Sequence, residues 1–172
     1  MRNDGEIVQS ILAGRPERFA ELVDRHAPAV FRLLRAAISH RQDAEDLGQE
    51  VFLAAYRSLA RLKDPDRFRA YLMRIASRRI IDRLRRKKRR PDALPLEDEP
   101  AIENSELRAT VRAVEEVVAT LPAPARLMFA LRHHEGLSCK QIARLLNRPA
   151  GTIHSQLFRT HAAIRSALEV KE

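Results

Sequence analysis

The sequence predicts an all-α protein: two small helical domains joined by a flexible acidic linker, the second containing a helix-turn-helix. Three observations predict it. Apolar residues recur at three- and four-residue spacing through most of the chain, the period of a helix that buries one face. Charge is unevenly placed: residues 1–90 hold 22 Lys/Arg against 12 Asp/Glu, residues 91–120 hold 2 against 8, and residues 121–172 hold 8 against 3. The segment Gly136–Leu168, GLSCKQIARLLNRPAGTIHSQLFRTHAAIRSAL, reads as a short amphipathic helix, a tight break and a second helix with a polar leading face. The domains are therefore set at residues 1–90 and 107–172, with residues 91–106 as linker.

Bulk properties narrow the function. A chain of 172 residues, 45% hydrophobic and 32% charged, suits one ordinary domain or two small ones. No apolar run is long enough to span a bilayer, so no membrane insertion is expected. The start, MRNDGEIVQSILAGRPERF, lacks a signal-peptide pattern, and the expected home is the cytoplasm. The one cysteine, Cys139, excludes an internal disulfide framework. His133, His134 and Cys139 are irregularly spaced and lack a second thiol, so no metal site is expected. No Walker loop, nucleophile elbow or metal-spaced carboxylate cluster is present, so the chain is expected to be no enzyme and to need no cofactor. A net charge of +9, held in two basic bodies, suits a polyanion that each body touches separately.

In the first block, Phe19, Leu22, Val23, Val30, Phe31 and Leu34 mark an amphipathic helix from Glu17, which Pro28 is expected to kink or divide. A second helix has Asp43 as its expected N-cap and Ala44, Leu47, Val51, Ala54 and Ala55 as its buried stripe. Asp46, Gln49 and Glu50 fall on another face, a compact acid–amide patch that invites a basic protein partner. Gly48 sits mid-helix at a cost of roughly 1 kcal/mol against alanine. Asp64 and Pro65 read as cap and first position of the next helix. Its buried side is Phe68, Leu72, Ile75, Ala76, Ile80 and Leu84, and its exposed side is rich in arginine, including Arg78, Arg79 and Arg83. Such dense like charge calls for phosphate lying against it. Tyr71 lies on the same helix, where an aromatic ring can either stack on a base or fill the core.

The strip PDALPLEDEPAIEN, with Glu97, Asp98 and Glu99 among its three prolines, is the linker. Beyond it, Leu107, Val111, Val114, Val117 and Val118 mark one helix and Leu127, Met128 and Leu131 another, ended by Gly136 as a C′ glycine. Ser138 and Gln141 have capping-box spacing. Ile142, Leu145 and Leu146 face inward, Asn147–Gly151 form the bend, and Thr152–Ala162 form the probing helix, anchored by Ile153, Leu157 and Ile164. Its outward residues are Thr152, His154, Ser155, Gln156 and Arg159. Hydroxyls and amides read base edges in a major groove, and arginine reads guanine or clamps phosphate.

In this order, ELVDRHAPAVFRLLR, DAEDLGQEVFLAAYRSL, FRAYLMRIASRRIIDRLRR and the segment from LPAPARLMF to the end of the helix-turn-helix resemble a bacterial RNA polymerase sigma factor of the extracytoplasmic-function group, in the sigma-70 superfamily. The resemblance covers about residues 17–168. It implies a protein that directs core RNA polymerase to promoters and assists strand opening. Asp46, Gln49 and Glu50 take the polymerase-docking role. The loop Arg61–Arg67, with Arg61, Lys63 and Arg67, captures a base flipped from the downstream promoter element. Tyr71, Arg78, Arg79 and Arg83 complete that DNA contact. Thr152, His154, Ser155, Gln156 and Arg159 read the upstream element. The implied partners are core RNA polymerase, promoter DNA and, as for many members, an anti-sigma protein covering both faces. The chain departs from the pattern at Tyr71, usually tryptophan, at Gly48, usually a larger apolar residue, and at His154 and Gln156, where basic residues are common. The rival reading is a stand-alone helix-turn-helix regulator, which would bind duplex as a dimer without polymerase.

Overall fold

The computed structural model describes residues 3–86 and 105–169, with the backbone alone described over 105–110. It has eight α-helices among the described residues, in two compact units, Met1–Arg86 and Lys87–Glu172. The expected linker falls largely outside the described residues. Its last two positions do not, because a helix already begins at Ser105, where Glu106 and Leu107 favour helical backbone.

The first unit holds α1 (Asp4–Leu12), α2 (Phe19–Ala37), α3 (Arg41–Arg57) and α4 (Phe68–Arg86). Helices α2, α3 and α4 pack against one another, and α1 closes the group. The core is the apolar stripe of each: Leu22, Val30, Leu33 and Leu34 from α2, Ala44, Leu47, Val51, Phe52 and Ala55 from α3, and Phe68, Leu72, Met73, Ala76 and Ile80 from α4. Ile75 and Leu84, expected inside, are only half-buried, as is Ala54.

Three sequence expectations change here. Helix α2 runs through Pro28 without a break. Proline removes one backbone hydrogen bond and costs about 3 kcal/mol. Pro28 and Asp24, whose carbonyl loses its donor, are exposed to water, while the buried residues on both sides hold the helix together. Asp43 is not the cap of α3; His40 precedes the first turn, and Asp43 lies within it. There the Asp43 carboxylate accepts a 2.7 Å hydrogen bond from Arg83 on α4. Helix α1, finally, was not anticipated. Asn3 caps it by accepting from the Gly5 N–H, and Ile7, Val8 and Ile11 are buried.

The mid-helix glycine has a packing reason. A Cβ at Gly48 would lie 2.6 and 2.7 Å from the Cε1 and Cζ of Phe31, closer than real Cβ atoms approach. Helices α2 and α3 meet where α3 has no side chain.

The second unit holds α5 (Ser105–Thr120), α6 (Ala123–His133), α7 (Cys139–Leu146) and α8 (Ala150–Glu169). Helix α8 packs on the other three. The core is Ala113, Leu127, Met128, Leu131, Ile142, Leu146, Ile153 and Leu157. Arg126 is buried too, donating a 2.6 Å hydrogen bond to the Leu121 carbonyl beyond the end of α5. Burial pushes its pKa below the usual guanidinium value. No helix among the described residues is long and apolar enough to cross a membrane.

Candidate nucleic-acid and protein interface

Helix α3 exposes an acid–amide line. Asp46, Gln49 and Glu50 are all exposed, and Leu53, 52% exposed, continues the same face one turn on. Positions spaced by three and four residues share a helix face. That spacing was readable in the sequence, yet Leu53 was overlooked. Gln42 Nε2 donates to Asp46 Oδ1 at 3.3 Å. The patch is therefore three polar groups beside an apolar one, held on a helix anchored by Leu47 and Val51.

Past α3 the chain turns twice in 3₁₀ form, at Leu59–Arg61 and Pro65–Arg67. The Asp64 side chain accepts from the Asp66 N–H, the cap the sequence predicts, and Arg67 Nε lies 2.9 Å from Asp64 Oδ2. Arg61, Lys63 and Arg67 are all exposed, so the loop presents three cations to solvent.

Tyr71 does not join them. It is 9% exposed, its ring packs near Phe68 with centroids 6.4 Å apart, and its hydroxyl donates to the Ser58 carbonyl at 3.0 Å and meets the Ser58 hydroxyl. A base-stacking role needs a free ring face. Here the guanidinium of Arg74 lies 5.7 Å from the ring centroid, and the rest of the ring is in the core. Tyr71 ties α4 to the end of α3 and is removed from the proposed DNA contacts.

The three α4 arginines expected at DNA divide into two sets. Arg78 is exposed and makes no ion pair among the described residues. Arg79 and Arg83, one turn apart, face α3: Arg79 Nη1 lies 3.3 Å from Glu50 Oε2, and Arg83 Nη2 lies 2.7 Å from Asp43 Oδ1. Exposed pairs of this kind contribute about 0–1 kcal/mol each. Both remain available to a phosphate that offers more. Lys87–Arg90 lie outside the described residues.

The helix-turn-helix is built as its sequence directs. His134 caps α6, so Glu135 takes the C′ place expected for Gly136, and Gly136 takes the left-handed conformation (φ 64°) one residue later. Ser138 and Gln141 form a full capping box: Ser138 Oγ accepts from the Gln141 N–H at 3.3 Å, and Gln141 Oε1 accepts from the Ser138 N–H at 2.8 Å. Asn147 ends α7 in the left-handed region (φ 50°), which asparagine tolerates better than other non-glycine residues. The bend is then shorter than expected, because α8 starts at Ala150 and runs on to Glu169. Ile153 and Leu157 fix its inner face, while Ile164 is half-buried.

Thr152, His154, Ser155 and Arg159 are exposed on α8, and Gln156 is half-buried. Arg159 makes two long contacts to its own helix, 3.4 Å to the Ser155 carbonyl and 3.3 Å to Gln156 Oε1. Phe158 was missed and is the most exposed large apolar residue described, at 68%. It stands one turn from His154 and Ser155, on the reading face. An aromatic ring there has no ring partner among the described residues, and a thymine methyl is the apolar feature of a major groove. His133 and His161 bring their Nε2 atoms to 2.9 Å, with Phe129 against His133. Among the described residues no cluster of three or more His, Cys, Asp or Glu is arranged to hold a metal.

The comparisons agree with this division. The family description Sigma-70 region 2 matches residues 22–90, and Sigma-70, region 4 matches residues 111–164. The RNA polymerase sigma-H factor of Pseudomonas aeruginosa is 31% identical, over 96% of this chain and 94% of its own length. The ECF RNA polymerase sigma-E factor of Haemophilus influenzae is also 31% identical, over 96% of this chain and 95% of its own length. Among solved structures, CnrH in complex with the cytosolic domain of CnrY has a TM-score of 0.65 at 24% identity, covering 98% of this chain and 99% of that one. The sigma factor RpoE of Bartonella quintana, in complex with the anti-sigma factor NepR, has a TM-score of 0.67 at 21% identity, covering 90% and 98%. At that identity the two structures speak for the fold. The first unit bears its arginine helix beside an acidic one, the second bears a capped helix-turn-helix, and relatives match both in one chain: the protein belongs to the sigma-70 family, in its extracytoplasmic-function group, and is a sigma factor that directs RNA polymerase to promoters.

Proposed function

We propose that each surface described above has one task in promoter recognition. The exposed line Asp46, Gln49, Glu50 on α3, extended by Leu53, docks on a basic surface of core RNA polymerase. The loop with Arg61, Lys63 and Arg67 receives a base leaving the downstream element. Arg78 holds phosphate outright, and Arg79 and Arg83 do so after exchanging their α3 carboxylates for it. Thr152, His154, Ser155, Gln156, Phe158 and Arg159 enter the major groove of the upstream element. Two modest contacts made through one chain act as one strong one. Capture of extruded bases repays an unstacking cost of a few kcal/mol per step.

The observation that carries this reading is the acidic line itself. On a chain of net charge +9, a helix that keeps acid and amide exposed beside the arginines of α4 faces a partner other than DNA. Of the solved relatives, RpoE carries the anti-sigma factor NepR and CnrH carries the cytosolic domain of CnrY. An anti-sigma protein that covers the same faces is the inhibitory partner proposed for this chain, acting in the cytoplasm. Reconstituted transcription with core polymerase and a promoter library tests the whole assignment. Asp46→Lys with Glu50→Lys should abolish association with core polymerase while the circular dichroism spectrum is unchanged. Undiminished association would remove α3 from the docking surface.

A further inference from the structure

Helix α1 has no part in the tasks above, yet it is among the most firmly held elements of the first unit. Ile7 and Val8 are fully buried. Asp4, in its first turn, is bound on both carboxylate oxygens: Oδ1 accepts from Arg25 at 2.6 Å, and Oδ2 lies 2.7 Å from His26 Nε2. His26 is itself 5% exposed and lies against Phe68, with ring centroids 5.5 Å apart. The start of α1 is thus anchored to α2 in the core.

The next residue faces the other way. Gly5 is buried beneath the carboxylate of Asp66: a Cβ at position 5 would stand 2.1 Å from Asp66 Oδ1 and 3.0 Å from Asp66 Cγ. A side chain at position 5 would have to displace that carboxylate, which is exposed and can turn away. Asp66 is the middle residue of the turn Pro65–Arg67, between the cap Asp64 and the cation Arg67, and three residues after Lys63. A negative carboxylate over the first turn of a helix is also favoured by the positive end of the helix dipole. The series runs from His26 and Arg25 through Asp4 and Gly5 to Asp66, which shares its turn with Arg67.

We propose that α1 is a platform that sets the position of the base-receiving loop, with Gly5 and Asp66 as its positioning residues. The inference rests on the reading that residues 61–67 receive a base of the downstream element. A methyl group at position 5 displaces the Asp66 carboxylate and breaks its contact with α1. A carboxylate one methylene longer at position 66 does the same from the loop side, without altering α1. Neither change touches the acidic line of α3.

The test is promoter opening by the full chain bound to core polymerase, on a preferred promoter and on the same promoter with its downstream element substituted. The readout is the ratio of the two opening rates, alongside association with polymerase. Gly5→Ala and Asp66→Glu should each lower the ratio at least about tenfold, which is ~1.4 kcal/mol of lost base recognition, with association unchanged. Gly5→Ala and Asp66→Ala break the same contact, so Gly5→Ala/Asp66→Ala should lower the ratio no further than Asp66→Ala alone. A role in stability only would lower both rates together and leave the ratio intact. An unchanged ratio in Asp66→Glu overturns the proposal, and Asp66 is exposed, so that variant decides even if Gly5→Ala fails to fold. A double variant whose loss is the sum of the two single losses overturns it as well. Lys63→Ala, run in parallel, separates the two layers. If it lowers the ratio and Asp66→Glu does not, the platform fails and the loop assignment stands. If Lys63→Ala has no effect either, the loop assignment fails and takes the platform with it.

Discussion

Gly48→Ala is the substitution whose sign depends most directly on the packing of α2 against α3. By helix propensity it should stabilise: glycine to alanine in a helix interior gains about 1 kcal/mol. By packing it should destabilise. The new Cβ would sit 2.6 and 2.7 Å from two ring carbons of Phe31, and 3.4 Å from Leu34 Cδ1. Carbon atoms prefer about 3.5–4.0 Å, so the ring must retreat by roughly 1 Å. Overpacking of that kind costs typically about 1–3 kcal/mol. The sum is a net loss of about 0–2 kcal/mol. The sign should reverse once the ring is removed: in a Phe31→Ala background the clash is gone, and Gly48→Ala should stabilise by about 1 kcal/mol. The chain suits the assay. It has no tryptophan, and both tyrosines, Tyr56 and Tyr71, lie in the first unit, so tyrosine fluorescence during urea unfolding reports that unit. If Gly48→Ala were stabilising by the full propensity term with Phe31 present, the close approach of α2 and α3 would be wrong.

Other consequences can be measured on the second unit. Ser138→Ala removes one bond of the capping box and frees its partner Gln141, and should cost about 1 kcal/mol of stability, seen as a lower midpoint in thermal circular dichroism. Arg159→Ala should weaken upstream-element binding by roughly 1–3 kcal/mol if the guanidinium reads guanine with both nitrogens; an unaltered footprint would take Arg159 out of the groove. His133 is held below the ordinary imidazole value of 6.5 by burial first, then by His161, Arg132 and His134. Its neutral form is therefore the one the fold favours. Its contribution to stability is present above the unfolded value and is lost as pH falls through the depressed folded value. Proton NMR should show His133 titrating below 6.5 and moving part-way back in His161→Ala. A midpoint at or above 6.5 would contradict the packing around it.

What was legible in the sequence is what local chemistry decides. Ser138 and Gln141 announce a capping box because both bonds lie within four residues. The stripes Leu47–Val51–Ala55 and Leu72–Ala76–Ile80 announce buried faces because period 3.6 fixes which side chains share a face. The misses are tertiary. Asp43 had the chemistry of a cap, but its carboxylate is engaged by Arg83, forty residues on, and the helix starts before it. Tyr71 next to arginines has the composition of a stacking residue, and only the position of Ser58 shows that its hydroxyl is taken. Helix α1 is nine residues long with a glycine in its first turn, so its own pattern is weak, although Asn3 followed by Glu6 carries the spacing of a helix start. Gly48 reads locally as a defect and is explained only by a ring on another helix.

The pairing of Arg79 with Glu50 and of Arg83 with Asp43 bears on how a basic helix can exist before it meets DNA. Arginines one turn apart repel, and the carboxylates of α3 relieve that repulsion within the unit. A pair of 45% and 54% exposed side chains, as at Arg79 and Glu50, is screened by water and contributes at most about 1 kcal/mol. A phosphate backbone outcompetes it, because each neutralised phosphate also releases condensed counterions. The acids of α3 therefore need not be read as either structural or functional. Glu50 lies in the proposed docking line and is also the resting partner of Arg79. Asp43, half-buried in the first turn, is the tighter of the two, with a 2.7 Å bond to Arg83. The three arginines should then differ in readiness for DNA: Arg78 first, being unpaired among the described residues, Arg79 next, and Arg83 last. That order follows from distance and exposure, and it runs along α4 away from the loop of residues 61–67.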